Sequence, residues 1–372
     1  MSKIVLLVTC GLLVTAGVAA ASDEAQEKPS WADKVKIKGD LRLRYEGFDQ
    51  EGKFHDGRRD RFRMRARVDL TAKVKDSIRI GLQLRSGDPA DPVSANQSLD
   101  GSFSGKPLHL AQAYADLTLT DQLSLLAGKF APGKHWVVSD LQWDGDVTVE
   151  GAMQKITLGG ERSKVMASIY QFVTEESSSK SDGYLFGGQV RPVFKMGAAN
   201  TLTLGAGFDH FREPQRVADL TLDGALAGNK LTNRVDESGR LLSDFRIVNG
   251  FLIWKNTSVE RWPLKIALFG YRNTGAADDN DTGFFGRLEV GSYGQPGQVQ
   301  LRYTRYHSEP DALFYAFAQS DTSHGTNVGA NRVDARVGLA AGSHVNLTWY
   351  NARPNTGGQT LNRWQVDYSL KF

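Results

Sequence analysis

Cysteine is almost absent from this sequence of 372 residues, since only Cys10 is present. It lies in an uncharged stretch that follows Lys3 and ends in three alanines, Ala19–Ala21. That order is typical of a cleaved export signal, so we expect residues 1–21 to be removed. An uncleaved anchor and lipid attachment at Cys10 are the alternatives. The mature chain would contain no disulfide, thiol nucleophile or zinc–thiolate site.

Long hydrophobic runs are also missing. After the signal, no uncharged apolar run approaches the ~18 residues of a membrane helix, and the mean hydropathy is −0.37. Neither charge dominates, with 45 basic and 42 acidic residues, which argues against bulk nucleic-acid binding. A hydrophobic content of 40% excludes global disorder. A soluble globular protein and a transmembrane β-barrel remain, because hydropathy does not reveal barrel strands.

Signals for catalysis or metal binding are weak. The seven histidines show no metal-ligand spacing, and no G-x-S-x-G elbow is present. Residues 278–289 partly resemble a calcium loop, but the fifth position is Thr282 and strand patterns flank it. We therefore favour a solvated loop there. We expect no enzyme, no cofactor and no metal, and a barrel-embedded enzyme remains an alternative.

Strict alternation of apolar and polar residues begins at Lys36. In residues 60–73, Phe62 and Met64 alternate with Arg61, Arg63 and Arg65. A period of two predicts strands with one apolar and one polar face. The pattern predicts sixteen strands, at residues 36–48, 60–73, 77–85, 108–119, 122–130, 152–160, 164–173, 183–196, 200–212, 244–256, 263–273, 282–293, 298–307, 331–340, 344–351 and 362–372.

The connections between these strands alternate in length. Gaps after odd-numbered strands are never shorter than eight residues, and gaps after even-numbered strands never exceed six. An antiparallel transmembrane β-barrel of about 16 strands produces this alternation, with short periplasmic turns and long extracellular loops. We expect a short periplasmic tail at 22–35 and the barrel at 36–372. The last strand favours a water-filled interior, because Arg363 alternates with Trp364 and Val366.

Several segments carry a resemblance to a known family. They are Gly39–Gly47, Arg59–Arg67, Asp91–Gln97, Ala113–Tyr114, Ala127–Lys129, Trp143–Asp146 and Glu150–Gly151. Over residues 39–151 the chain resembles the putative porin family of Gram-negative outer membranes, and more distantly the general and phosphate-selective sixteen-stranded porins.

The resemblance implies a passive pore in the outer membrane of a Gram-negative bacterium. Its implied partners are outer-membrane lipid, small hydrophilic solutes or anions, and the barrel-assembly machinery, and it allows a homotrimer. An aromatic-ended last strand serves such proteins as an assembly signal, here Phe372.

The function of a pore depends on the charges along its lumen. The first three strands and the last one place arginines on their polar face, which we call the basic wall. Acids there are fewer, so we expect anion preference, although pairing of the arginines into a structural network is the alternative. The predicted basic wall contains Arg42, Arg44, Arg61, Arg63, Arg65, Arg67, Arg79, Arg85 and Arg363.

The long loop at 131–151 contains Trp136, Leu141 and Trp143, although apolar side chains need burial. In porins the third long loop folds inward as the constriction, and this loop is third in order. We expect its acids to face the basic wall, while packing of the tryptophans at the rim or a subunit contact is the alternative. The acids are Asp140, Asp144, Asp146 and Glu150.

The sequence as a whole predicts an outer-membrane porin, a passive diffusion channel for small hydrophilic solutes with anion preference. A channel dedicated to phosphate or other oligoanions is the main alternative. A surface-loop receptor or a barrel plugged by its own loops is a third. The sequence does not determine the pore diameter, the natural solute or the oligomeric state.

Overall fold

The computed structural model describes residues 34–50, 52 and 57–372. The predicted export signal, and all of the predicted tail except its last two residues, lie outside them. The described strands are β1 Val35–Asp49, β2 Arg58–Lys75, β3 Ile78–Ser86, β4 Gln97–Ser98, β5 Leu108–Thr118, β6 Leu123–Phe130, β7 Val149–Gly159, β8 Ser163–Glu175, β9 Gly183–Met196, β10 Asn200–Arg212, β11 Phe245–Asn256, β12 Leu264–Asn273, β13 Thr282–Gly291, β14 Val299–Ser308, β15 Val328–Ala340, β16 Ser343–Pro354 and β17 Leu361–Lys371. The same described residues contain one α-helix, α1, at Gln215–Leu222.

The strands form one closed antiparallel sheet. Consecutive long strands pair with each other, and β1 pairs with β17 from Asp40 opposite Lys371 to Asp49 opposite Asn362. The short β4 pairs with β2 over only two residues, so it is not counted as a barrel strand. The other sixteen described strands are long and form the barrel wall. The predicted sixteen-stranded antiparallel barrel is confirmed.

Apolar side chains lie on the outside of this barrel. On β17, Trp364 is 57% exposed, whereas its neighbour Gln365 is 1% exposed. The same inversion holds on β2, where Phe62 is 61% exposed and the arginines on either side point inward. A water-soluble sheet would bury the apolar face, so this polarity is that of a barrel surrounded by lipid.

One end of the barrel has short turns and the other has long loops. The long-loop end contains α1, the β6–β7 loop (131–148) and the β14–β15 loop (309–327), and aromatic side chains from both loops join a buried cluster with the barrel wall. This cluster is the apolar core of the molecule, and it lies inside the barrel. Among the described residues, no helix is long and apolar enough to cross a membrane.

Most strand boundaries agree with the sequence within three residues. Strand β1 begins at Val35, so the predicted tail ends one residue earlier than expected. Strand β7 begins at Val149, which moves residues 149–151 from the predicted loop into the barrel wall. Helix α1 was not predicted, since the segment from 213 to 243 was treated as a plain loop.

Candidate functional site

Paired charges cover the lumen side of β1, β2 and β17. Arg44 donates two hydrogen bonds to Asp367, at 2.6 and 2.9 Å. Asp40 accepts hydrogen bonds from Arg65 at 2.7 Å and from Arg67 at 2.6 Å. These pairs form because the register places Arg44 opposite Asp367 and Arg67 opposite Asp40. The basic wall is therefore largely an ion-pair network.

Glu46 connects the rest of this wall. Its carboxylate is completely buried and accepts a hydrogen bond from Arg363 at 2.6 Å and another from Arg61. Arg63 lies 3.5 Å from the same carboxylate. Removal of Glu46 would break the ion pairing that joins β1, β2 and β17, and a buried guanidinium without a partner is costly.

The β6–β7 loop lies inside the barrel. Trp136 stacks on Tyr170, with ring centroids 4.8 Å apart, and Trp143 stacks on Phe317 at 5.7 Å. The backbone of Val137 exchanges two hydrogen bonds with the side chain of Gln189. These contacts explain the apolar residues of this loop, since they anchor it to the inner wall and to the β14–β15 loop.

The acidic side chains of the β6–β7 loop face two different sides of the lumen. Asp146 lies 3.9 Å from Arg65 and 3.7 Å from Arg67 on the basic wall. Asp140 instead hydrogen-bonds Arg287 and lies 4.0 Å from Arg332, on β13 and β15. The expectation that all of these acids face the basic wall was wrong, because a second set of arginines was overlooked.

Asp144 binds neither wall. Its carboxylate accepts hydrogen bonds from the backbone N–H and the hydroxyl of Ser320, both at 3.1 Å. Burial, followed by the nearby negative charges of Asp146 and Asp321, raises the pKa of Asp144 well above its ordinary value. Burial also opposes ionisation of Asp146, but Arg65 and Arg67 more than compensate and lower its pKa. One protonatable carboxyl thus lies beside an ionised one.

The second basic wall lies on β13, β14 and β15. Asp334 accepts two hydrogen bonds from Arg302, both at 2.9 Å, and two from Arg332, at 2.9 and 2.8 Å. The alternation of Arg332, Asp334 and Arg336 along one strand could have revealed this wall in the sequence. Its arginines are Arg287, Arg302, Arg332 and Arg336.

The β14–β15 loop also folds inward, which sequence reasoning missed. Its Leu313 and Phe314 are buried, and its backbone is fixed by Asn233, which donates to Leu313 O at 2.8 Å. Asp321 of the same loop pairs with Arg363 at 2.8 Å. The inward position of this loop could have been predicted from its apolar residues, as for residues 131–151, because the stretch from Ala312 to Ala318 is almost entirely apolar.

Both loops and both walls meet around one cavity of about 380 Å³. Its lining contains nine arginines and lysines against six aspartates, so positive charge is in excess. The basic residues are Arg42, Arg44, Arg65, Arg67, Arg287, Arg302, Arg332, Arg336 and Lys371, and the acids are Asp40, Asp140, Asp144, Asp146, Asp321 and Asp367.

Other predicted site residues lie elsewhere. Arg79 lines a separate cavity with Lys36 and Lys73, and Arg85 donates to the backbone carbonyl of Asp146. Glu150 was assigned to the loop, but it lies in β7 on the outer face and pairs with Lys129. This prediction was wrong because the strand begins at Val149, three residues earlier than the alternation suggested.

Two further segments can be placed. Phe372 pairs with Gly39 through backbone hydrogen bonds at 2.9 and 3.1 Å, beside the closure of β1 on β17. Its role as an assembly signal stays a prediction.

In the segment that resembles a calcium loop, Asp278 pairs with Arg234. No cluster of three or more metal-ligating side chains occurs within the described part of the chain.

Comparison with known proteins supports the same class of molecule. The sequence matches the family described as Putative porin over residues 53–223. The search of curated proteins found no match. The predicted resemblance to this family is confirmed.

Solved structures share the whole fold. OprB of Pseudomonas putida is 12% identical, with a TM-score of 0.58 over 92% of this chain and 95% of its own. OmpF of Salmonella typhi, solved with daunomycin, is 9% identical, with a TM-score of 0.55 over 91% and 97%. In-vitro folded OmpT of Vibrio cholerae, in its trimer form, is 10% identical, with a TM-score of 0.50 over 91% and 100%.

The fold is therefore that of the bacterial outer-membrane porins. The family match and the shared barrel support an outer-membrane porin channel rather than an enzyme.

Proposed function

We propose that this barrel is a passive diffusion channel of a Gram-negative outer membrane that admits small hydrophilic solutes and prefers anions. The cavity between the two inward loops carries the proposal, because its lining combines nine cationic side chains with six aspartates. Among the described residues of the lining, Val93 is the one aliphatic side chain, so the solute would move among polar groups. Such a lining suits hydrated ions and small polar molecules.

Ion pairing reduces this charge without removing it. Arg44 and Arg302 each bind a carboxylate directly, so they contribute little net charge. The remaining excess lies in a narrow lumen with low-dielectric walls, where fields are focused. We therefore expect a moderate preference for anions that is strongest at low ionic strength, since 0.15 M salt screens charges over ~8 Å.

The constriction in this proposal is formed by two loops. Asp144 of the β6–β7 loop binds Ser320 of the β14–β15 loop, and its backbone N–H donates to Phe317 O at 2.8 Å. Stacking of Trp143 on Phe317 adds an apolar contact between the same loops. A joined pair of anchored loops would narrow the lumen to a fixed width.

A channel dedicated to phosphate or other oligoanions is the second candidate. Its supporting observation is a column of arginines at successive inward positions of β2, namely Arg61, Arg63, Arg65 and Arg67. Pairing with Glu46 and Asp40 weakens this candidate.

The surroundings of the channel follow from the same proposal. The apolar outer face suits outer-membrane lipid, and residues 1–21 would direct export before the barrel-assembly machinery inserts the chain. The trimer form of Vibrio cholerae OmpT supports a homotrimer as the assembled state.

Reconstitution into planar bilayers tests the proposal. We expect stepwise current increases, and in a KCl gradient a reversal potential on the chloride-selective side. An enzyme or a barrel plugged by its loops would pass almost no current, and a cation-selective reversal potential would contradict the anion preference.

A further inference from the structure

Two arginines of the central cavity differ from the others in their partners. Arg42 binds the side-chain oxygen of Asn96, and Arg336 donates to Gln300 at 3.2 Å. Neither forms an ion pair with a carboxylate among the described residues, in contrast to Arg44 or Arg302. Two guanidinium charges of the lumen are therefore left without a neutralising partner.

The Nε atoms of both arginines confirm that their hydrogen bonding is incomplete. Each Nε is buried and has no acceptor within the described part of the protein. A buried donor without an acceptor is unfavourable, and the penalty is larger for a charged group. The guanidinium of Arg336 is held in place by the ring of Tyr293, with its central carbon 5.0 Å from the ring centroid.

The two arginines belong to one stretch of wall. Arg42 lies opposite Ser369 across the β1–β17 pair, and Arg336 lies opposite Asn346 across the β15–β16 pair. His344 pairs with Ser369 on the strands between them. All of these side chains line the central cavity.

Lys371 adds a third unpaired cation. It lies opposite Asp40 across the β1–β17 pair, but Asp40 is already bound by Arg65 and Arg67. Lys371 forms no ion pair within the described residues and also lines the central cavity. Hydroxyl, amide and imidazole groups of neighbouring residues complete a lining rich in hydrogen-bond donors.

We propose that Arg42, Arg336 and Lys371 form a binding site for small multivalent oxyanions, meaning solutes that carry two or more phosphate or carboxylate groups. The inference deepens the proposed anion-preferring channel by naming the solute class that it retains. Two guanidinium groups on separate strands suit a ligand with two separated acidic groups, because each planar fork can bind one of them in a bidentate way. A monovalent anion such as chloride would contact only one of the two guanidinium groups, so it would not be retained and would pass through the channel.

Block of chloride current by inorganic pyrophosphate tests this site, and citrate in a parallel experiment distinguishes carboxylate from phosphate ligands. We expect saturable block of the parent channel by at least one probe. The double variant Arg42→Gln with Arg336→Gln should bind that probe at least about tenfold more weakly, since two charged hydrogen-bonding groups are removed. Arg42→Lys with Arg336→Lys should give an intermediate affinity, because the charge remains and the fork is lost.

Arg305→Gln is the matched control. Arg305 lies on the outer face of β14, where it contacts Asn331 at 3.3 Å, so its replacement removes one positive charge, as each single lumen substitution does, without touching the lumen. Block should be unchanged in this variant. Heat-modifiable migration of every variant verifies that the barrel is folded.

The outcomes separate this site from the proposed function. If the parent prefers chloride but neither probe blocks saturably, or if block is the same in the double glutamine variant, the site is refuted and the channel proposal stands. If block depends on the two arginines while the parent shows no anion preference, the site stands and the general preference fails.

Discussion

Arg363 on the last strand binds Glu46 on the first strand, with 2.6 Å between guanidinium nitrogen and carboxylate oxygen. The two residues are 317 positions apart in the chain and meet only because β17 closes on β1. Arg61 of β2 binds the other oxygen of the same carboxylate. One buried carboxylate thus links the barrel closure to the charge pattern of the lumen.

Replacement of Glu46 by Gln tests this connection. The change leaves Arg61, Arg63 and Arg363 without their shared anion, so we expect a loss of about 3–5 kcal/mol in the free energy of unfolding. Urea unfolding in detergent or lipid, followed by heat-modifiable migration, measures it. Glu260→Gln, at an exposed turn position, is the control and should change little. Equal stability of both variants would show that the network contributes nothing to closure.

Removal of Trp136 tests the anchoring of the β6–β7 loop. Trp136 is 3% exposed and stacks on Tyr170 and Phe172, so truncation to Ala should cost about 3–5 kcal/mol locally. We expect a larger or noisier single-channel conductance, because the loop would no longer be held against the wall. Trp364→Ala, on the outer face, should leave the conductance unchanged. A quiet parental conductance in the Trp136 variant would contradict the anchoring role.

The raised pKa of Asp144 predicts a pH-dependent selectivity. Below that raised pKa the carboxyl is neutral, and as the pH rises through it a negative charge appears beside the cavity. The anion preference of the parent should therefore fall as the pH is raised through this shifted pKa, which lies well above the ordinary pKa of an aspartate. Reversal potentials across a pH series measure this change, and Asp144→Asn should remove it.

The same shift has a consequence for stability. Because the folded-state pKa of Asp144 lies above its unfolded value, the folded protein binds more protons between the two values, and stability falls as the pH rises through that window. Asp144→Asn should flatten this decline.

Asp91→Asn is the control for the pH-dependent selectivity. Burial raises the pKa of Asp91 to about 6, but its side chain does not line the central cavity. An unchanged profile in Asp144→Asn would refute the assignment.

A single glycine tests the packing of the wall. Gly128 on β6 has a φ of +116°, and a β-carbon there would lie 2.2 Å from the carbonyl oxygen of Ala113. Gly128→Ala should lose about 1–3 kcal/mol from strain alone and reduce the folded yield. Gly270→Ala on β12 is the control, because nothing lies within 4 Å of its β-carbon position. The yield of folded barrel after refolding into detergent micelles compares the two variants. Equal yields would contradict the expected strain at Gly128.

The barrel could be predicted because its information is local. Alternation along each strand and the lengths of the connecting segments are visible in short windows, and β9 and β10 were placed without error at 183–196 and 200–212. Helix α1 was missed because only eight residues in a long loop form it.

The pairing of charges could not be predicted because it depends on register between distant strands. Arg44 and Asp367 were both recognised as lumen residues, yet their bidentate contact joins positions 323 apart. The second basic wall was missed for a different reason. The alternation of Arg332, Asp334 and Arg336 on β15 is sparser than the run of arginines on β1–β3, and it is therefore a weaker sequence signal.

The reversal potential of charge variants in a KCl gradient at low ionic strength tests the central claim most directly. Replacing Arg61, Arg63 and Arg65 together by Gln should shift it toward cations, while Glu46 keeps Arg363 and Asp40 keeps Arg67 as partners. Replacing Asp140, Asp144 and Asp146 by Asn should shift it toward anions. If both triple variants kept the parental reversal potential, the charges of the lumen would not set its selectivity, and the account of an anion-preferring lumen would be wrong.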